Sequence, residues 1–220
     1  MSRQVPLGVL ISGSGSNLQA IMDAIKEKRL DAVIRIVISN RDDAYGLVRA
    51  RKHNLPTEIV DHRKFPAREA YDQALVDLLK THDVELVVLA GFMRLLSPVF
   101  VRAFSNRIMN IHPALLPAFP GLHVQRKALE YGVRFSGCTV HFVNEECDQG
   151  PIIIQAAVSV FPDDTEESLS ARILKEEHRI YPRAIQLYSE GRLHVVGRRV
   201  LIDDLEKLED QALVYPPLKG

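Results

Sequence analysis

Asn110 and His112 are separated by one residue at the start of a stretch that contains three prolines. If the segment "RIMNIHP" is an extended strand, this spacing points both side chains to the same face. Pro113, Pro117 and Pro120 each fix the backbone φ angle and restrict the preceding residue, and one of them is a candidate for a cis peptide bond. We interpret the loop as a rigid frame that holds an amide and an imidazole in place for chemistry.

Asp148 is the third candidate for this site. It precedes Gly150 and Pro151 in the acidic segment "NEECDQGP", between two predicted strands. An aspartate beside an imidazole keeps the ring oriented and favours its protonated form. The sequence leaves open the alternative that Asp148 is a solvated turn residue, so a site made of Asn110, His112 and Asp148 is a hypothesis about the fold.

A second candidate site is the loop "ISGSGSNL" at residues 11–18, between a predicted strand and a predicted helix. Gly13 and Gly15 permit backbone angles that a side chain disfavours, so the amides can close around an anion. Ser16 and Asn17 add donors, and the start of the helix supplies partial positive charge. We predict a phosphate cradle, with plain turn chemistry as the alternative.

The details of this loop favour a single phosphate over a dinucleotide or ATP. The dinucleotide pattern needs a third glycine where this chain has Leu18, and an acidic residue where the second strand ends in Ser39 and Asn40. The lysine of the ATP-binding P-loop is also absent.

The composition narrows the classes of partner. Lys and Arg number 28 and Asp and Glu also 28, which argues against nucleic acid. No apolar run reaches the ~18 residues of a membrane span. Cys138 and Cys147 lack metal-ligand spacing and indicate reduced thiols of a cytoplasmic protein, and the eight histidines are dispersed, so we predict no metal. Small molecules are the expected partners, of a monomer or a homodimer.

The elements that must position these residues alternate in the first half of the chain. Continuous apolar runs predict buried parallel strands at residues 5–12, 32–39, 57–61 and 85–91, and helical periodicity between them predicts helices around residues 18–25, 44–53 and 71–79. Such alternation indicates a parallel sheet with helices on both faces.

The second half has a different pattern. We predict an alternating strand at 137–143, an antiparallel partner at 150–160, a helix at 166–189 that begins with an Asp164–Glu167 capping box, and a hairpin centred on Gly197. The fold class is therefore α/β, one Rossmann-like domain over residues 1–220 with a parallel N-terminal sheet and a mixed or antiparallel C-terminal part. Its expected divisions are a parallel half that binds the phosphate and ribonucleotide (1–106), a catalytic and folate-binding half (107–190) and a hairpin with a tail (191–220).

Several segments together resemble the folate-dependent phosphoribosylglycinamide formyltransferase family of purine synthesis. The resemblance extends from about Val5 to Leu193 and depends on "LISGSGSNLQAI", "VVLAGFMRLLSP", "NIHPALLPAFPGLH", "TVHFVNEECDQGPII" and "EEHRIYPRAI". It implies a single-domain formyltransferase fold and two substrates, glycinamide ribonucleotide with one 5′-phosphate and 10-formyltetrahydrofolate as the co-substrate. One local departure is Ser14, where many members have Asn.

The resemblance also implies roles for individual residues. Gly15, Ser16 and Asn17 would hold the phosphate side of the ribonucleotide, and Glu177 its sugar hydroxyls. The folate pocket would be lined by Arg68, Met93, Arg94, Leu95, Leu96 and Asn110. Asn110, His112 and Asp148 would catalyse direct transfer of the formyl group through a tetrahedral intermediate.

Three alternatives stay open at this point. Formyltetrahydrofolate deformylases, of the same fold, usually have an extra N-terminal domain, for which a first strand near Val5 is expected to leave no room, and their loop tends to lack the "FPGLH" of residues 119–123. Methionyl-tRNA formyltransferases usually add a C-terminal domain for RNA. A non-catalytic nucleotide-phosphate-binding module would use only the first loop.

Overall fold

The computed structural model describes residues 4–205 and 213–215 of the chain. Within these residues nine strands form one sheet. The strands are Val5–Ile11 (β1), Ala32–Ser39 (β2), Thr57–Ile59 (β3), Leu86–Leu89 (β4), Ile108–His112 (β5), Phe135–Phe142 (β6), Ile152–Ser159 (β7), Leu193–Val196 (β8) and Arg199–Ile202 (β9). The helices are Ser16–Lys26 (α1), Tyr45–Lys52 (α2), Arg68–Thr81 (α3), Pro98–Ala103 (α4), Val124–Tyr131 (α5) and Glu166–Ser189 (α6).

The first five strands form the parallel part of the sheet, in the order β3-β2-β1-β4-β5. This arrangement confirms the predicted fold class. Parallel pairing continues through β5, past the predicted division at residue 106, because Leu89 of β4 pairs with Asn110 of β5. The division into functional halves stays a prediction.

Each face of the parallel sheet packs against its own group of helices. Val9 and Ile11 of β1 belong to a core shared with α1, α2 and α6, whereas Leu10 belongs to a core shared with α3 and α4. Because both faces are covered, the central strands β1 and β4 are apolar throughout rather than alternating.

The remaining strands continue the sheet as β6-β7-β9-β8, with β6 antiparallel to β5, and β7 antiparallel to β6. The strand predicted at residues 137–143 is confirmed as β6, which is buried from Ser136 to Phe142. Cys138, Val140 and Phe142 on one face belong to the core shared with α6, and Thr139 on the other face contacts the loop that follows β5. The hairpin on Gly197 is confirmed as β8 and β9; residues 206–212 and 216–220 of the predicted tail lie outside the described residues.

Two local features of the helices differ from the expectations. The capping box of α6 consists of Thr165 and Ser168, whereas Asp164 instead pairs with Arg172 at 2.8 Å. The short helices α4 and α5 were not predicted, because each buries only two of its residues and gives little periodic signal.

Among the described residues, no helix is both long and apolar enough to cross a membrane.

Candidate active site

The first loop leaves the end of β1 and opens α1, as a phosphate cradle requires. Gly15 precedes α1 with a φ of 68°, which glycine adopts readily and other residues rarely. Its α-carbon faces α2 so closely that an added Cβ would lie 2.5 Å from Cα of Gly46. Gly13 is different, because its φ is not positive and an added Cβ would meet no atom within 4 Å. The expected conformational requirement therefore applies to Gly15 and not to Gly13.

The loop is fixed from the side of α2. Arg49 donates from Nε to the carbonyl of Ser14 at 2.9 Å, and Gly46 donates its N–H to the carbonyl of Gly13 at 3.0 Å. Both contacts use carbonyls and so do not occupy the N–H groups at the start of α1, which have no acceptor within the helix and can bind an anion.

Asn17 and Glu177 connect this loop to α6. Asn17 Nδ2 donates to Glu177 Oε2 at 2.7 Å, and both residues are buried. Burial raises the pKa of Glu177, whereas the Asn17 bond and the charge of His112 lower it. Tyr181, one turn further along α6, donates to the carbonyl of Met109 in β5 at 2.9 Å, so α6 connects this loop to the strand that holds Asn110 and His112.

The structure brings the side chains of Asn110, His112 and Asp148 together. His112 Nδ1 lies 3.5 Å from Asp148 Oδ2, and both side chains are largely buried. Asn110 reaches the same group through His141, whose Nε2 is 3.2 Å from Asn110 Nδ2 and 3.9 Å from Asp148 Oδ1. Four polar groups thus form a continuous cluster from β5 and β6 to the loop between β6 and β7.

The imidazole of His112 faces an acceptor at each ring nitrogen. Nε2 is 2.9 Å from the carbonyl oxygen of Phe119, and Nδ1 faces the Asp148 carboxylate. A ring with a proton on both nitrogens satisfies both contacts. Asp148 is held in turn by the backbone N–H of Gly121, which donates to Oδ2 at 2.9 Å.

The proline-containing loop is anchored by side chains as well as by its prolines. The Leu116–Pro117 peptide bond is cis. Thr139 of β6 donates to the carbonyl of Ala114 at 2.7 Å and accepts from the N–H of Leu116 at 3.0 Å. Gln155 of β7 donates to the carbonyl of Leu116 at 2.9 Å. The antiparallel strands therefore hold the loop that follows His112.

The residues predicted for folate follow β4, whose last residue pairs with Asn110. Met93 and Leu95 are exposed, with 68% and 59% of their surface accessible, while Leu96 packs against the core. The N–H of Met93 donates to Ser12 Oγ at 2.8 Å, which fixes this segment beside the phosphate loop. An exposed apolar pair on a fixed backbone is suited to an apolar ligand.

Helix α3 supports the two arginines predicted for folate. Arg94 lies over the ring of Tyr71, 5.5 Å from its centroid, and Arg68 begins the same helix one turn earlier. The N–H of Ser97 donates to the buried carboxylate of Asp72 at 2.5 Å. These contacts tie residues 92–97 to α3, but no described contact joins Arg68 or Arg94 to the Asn110–His112–Asp148 group.

Sequence reasoning missed His141, Thr139 and Gln155. All three lie on strands that were predicted, but the sequence gives no register between β5 and β6, and only the register shows that His141 stands opposite Asn110. Within the described residues, no three His, Cys, Asp or Glu side chains are grouped in a way that could hold a metal ion.

Comparison with known proteins gives consistent matches. Residues 7–185 match the protein family described as formyl transferase. The chain is 50% identical over 195 residues to the phosphoribosylglycinamide formyltransferase of Escherichia coli strain K12, which covers 89% of this chain and 92% of that protein. It is 53% identical over 193 residues to the trifunctional purine biosynthetic protein adenosine-3 of Drosophila pseudoobscura pseudoobscura, covering 87% of this chain but 14% of that much longer protein.

Solved structures agree with these matches. Glycinamide ribonucleotide transformylase 1 from Symbiobacterium toebii superimposes with a TM-score of 0.91 at 55% identity, over 93% of this chain and 96% of that one. A formyltetrahydrofolate deformylase from Pseudomonas syringae has a TM-score of 0.85 but only 27% identity, over 92% of this chain and 67% of that one. The deformylase shares the fold at a much greater distance in sequence.

Proposed function

Since this chain belongs to the formyl transferase family, we propose that it transfers the formyl group of 10-formyltetrahydrofolate to the amine of 5′-phosphoribosylglycinamide. The products are formylglycinamide ribonucleotide and tetrahydrofolate, a step of purine biosynthesis. The observation that carries the proposal is the Asp148 carboxylate 3.5 Å from the imidazole of His112, in a cluster that also contains Asn110.

The amide of Asn110 is proposed as a donor to the developing charge. The substrate amine attacks the formyl carbon, a new C–N bond forms, and the formyl oxygen becomes negatively charged in a tetrahedral intermediate. Donors already in place for that oxygen lower the barrier, typically by about 3–4 kcal/mol for each one. Asn110 is half-buried at the middle of β5, so its amide is held by the sheet rather than by a loop.

His112 and Asp148 are proposed to act as a pair. The carboxylate stabilises an imidazolium on His112, whose charge in turn favours the oxyanion. The same pair helps to move the proton from the attacking amine to the departing folate nitrogen as the old C–N bond breaks. Because Nε2 of His112 contacts the carbonyl of Phe119, a direct bond from Nε2 to substrate requires that this contact give way.

The binding roles follow the two loops at the ends of β1 and β4. The amides of Gly15, Ser16 and Asn17 hold the 5′-phosphate, and Glu177, which accepts from Asn17, binds the sugar hydroxyls. The folate lies along the exposed Met93 and Leu95, with the other members of its pocket supplied by Arg68, Arg94, Leu96 and Asn110.

The alternative is a deformylase that transfers the formyl group to water. One experiment separates the two: purified protein is supplied with 10-formyltetrahydrofolate, with and without the ribonucleotide, and tetrahydrofolate and the formylated ribonucleotide are both quantified. We expect release of tetrahydrofolate only when the amine is present, with one formylated ribonucleotide per tetrahydrofolate. Release without the amine would favour the deformylase, and no release in either case would favour a non-catalytic phosphate-binding module.

The proposal includes the remaining expectations for the protein. Its partners are small molecules, with no nucleic acid and no membrane, and its assembly is a monomer or a homodimer. Its location is the cytoplasm, which is consistent with the two free cysteines, Cys138 and Cys147.

A further inference from the structure

The two ring nitrogens of His141 face different partners, and those partners determine which nitrogen has the proton. Nδ1 lies 2.9 Å from the backbone carbonyl oxygen of Phe142, an atom that only accepts hydrogen bonds. The proton of a neutral ring therefore lies on Nδ1, and Nε2 keeps its lone pair. His141 is 1% exposed, so water does not compete for either nitrogen.

The lone pair of His141 Nε2 faces the side-chain amide of Asn110 at 3.2 Å. Because a lone pair accepts a hydrogen bond, the amide must turn Nδ2 and not Oδ1 toward the ring. One Nδ2 hydrogen is then used by His141, and the second remains for another acceptor. The two residues are paired across β5 and β6, so the backbone register fixes their approach.

We propose that His141 is a positioning residue for formyl transfer: by accepting from Asn110 Nδ2, it fixes the amide in the orientation that offers its second hydrogen to the substrate oxyanion. This inference rests on the proposed function, in which Asn110 is the oxyanion donor. His141 itself need not touch the substrate.

The charged and titratable groups around the ring are consistent with a neutral His141. They are His112 from β5 and Asp148 from the β6–β7 loop, with Asp148 Oδ1 3.9 Å from Nε2. Burial lowers the pKa of His141, the Phe142 carbonyl and Asp148 act in the opposite direction, and His112 lowers it further. A ring with a second proton on Nε2 would compete with His112 for Asp148 and would turn Oδ1 of Asn110 toward itself.

Two variants of the full chain test whether His141 must accept a hydrogen bond from Asn110. His141→Leu keeps much of the side-chain volume but removes the acceptor, and we expect kcat to fall about 10²-fold, as when one oxyanion donor is lost. His141→Gln can place Oε1 close to the position of Nε2, and we expect it to recover at least about tenfold of that loss. KM for the ribonucleotide should stay within about threefold in both, because the phosphate loop is untouched. A Gln variant as slow as the Leu variant would overturn the proposal.

A double-mutant comparison distinguishes positioning from a general structural role. In the Asn110→Ala background His141 has no amide to orient, so His141→Leu should change kcat by less than about threefold. The same 10²-fold loss in both backgrounds would overturn the proposal.

A measurement on the wild-type protein does not depend on how the variants fold. Nitrogen NMR of the histidine rings at pH 7.5 should show His141 protonated at Nδ1 and unprotonated at Nε2; the reverse tautomer in an active enzyme would overturn the role of His141 alone. Absence of formyl transfer by the wild type would instead overturn the proposed function and this inference with it.

Discussion

Gly15→Ala tests whether the phosphate loop is set by its close approach to α2. Two costs follow from the geometry. A side chain at a φ of 68° adopts the left-handed region, at about 1–2 kcal/mol. The new Cβ would also lie 2.5 Å from Cα of Gly46, a backbone atom, and such overpacking costs about 1–3 kcal/mol. We therefore expect a loss of about 2–5 kcal/mol in the free energy of unfolding.

The assay is urea unfolding followed by circular dichroism, with the slope of the transition compared between proteins. Gly13→Ala in the same loop is the matched control, because its Cβ would meet no atom within 4 Å and its φ is not positive. We expect the control to stay within about 0.5 kcal/mol of the wild type. Relief of this overlap would move α2 and the loop apart. This displacement should also raise KM for the ribonucleotide at least about tenfold, equivalent to about 1.4 kcal/mol. Equal stability of the two alanine variants would refute the steric reasoning.

Three further outcomes concern the chemistry. His112→Ala and Asp148→Ala should each lower kcat about 10²–10³-fold with ribonucleotide affinity within a few-fold, since both act on the developing charge; near-wild-type kinetics would remove that residue from the mechanism. Glu177→Gln should reduce the pH dependence of the free energy of unfolding. Burial raises the pKa of the Glu177 carboxyl above 4.5. Its contribution to stability is therefore complete below pH 4.5 and is lost as the pH rises through the raised pKa. Denaturation midpoints across that range measure this effect, and parallel curves for variant and wild type would contradict it. A chelator should leave the rate unchanged in a steady-state assay, because Asn110 and His112 are the proposed donors; a loss restored by a divalent cation would show that a metal takes part.

The parts of the fold that the sequence predicts are those set by local patterns. The strand at Ala32–Ser39 and the helix at Glu166–Ser189 are observed at the predicted residues, because a continuous apolar run and a long helical period each identify one element. The turn between β1 and α1 was also predictable, since glycines between a strand and a helix are a local signal; its role in binding phosphate stays a prediction. The prediction that Gly13 needs a backbone conformation favouring glycine was wrong, because only the fold shows which of the two glycines approaches α2.

The parts that the sequence does not predict depend on pairing between distant segments. His141 belongs to a strand that was predicted, but its place opposite Asn110 and near Asp148 depends on the pairing of β6 with β5 and on the loop after β6. Thr139 and Gln155 were missed for the same reason, since each acts on a loop more than ten residues away. The capping box was misplaced by one position because Asp164 and Thr165 are both favoured at helix starts.

The candidate site lies at the seam where the sheet changes strand direction. Asn110 and His112 stand on β5, the last strand of the parallel series, while His141 stands on β6, the first strand that runs the other way, and Asp148 follows it. A fragment that ended before β6 would carry the amide and one imidazole but lack the carboxylate, so neither portion could assemble a working catalyst alone. In the proposed mechanism, activity therefore requires that β5 and β6 be paired, and local opening between these two strands would abolish formyl transfer while the loop at residues 11–18 stayed folded.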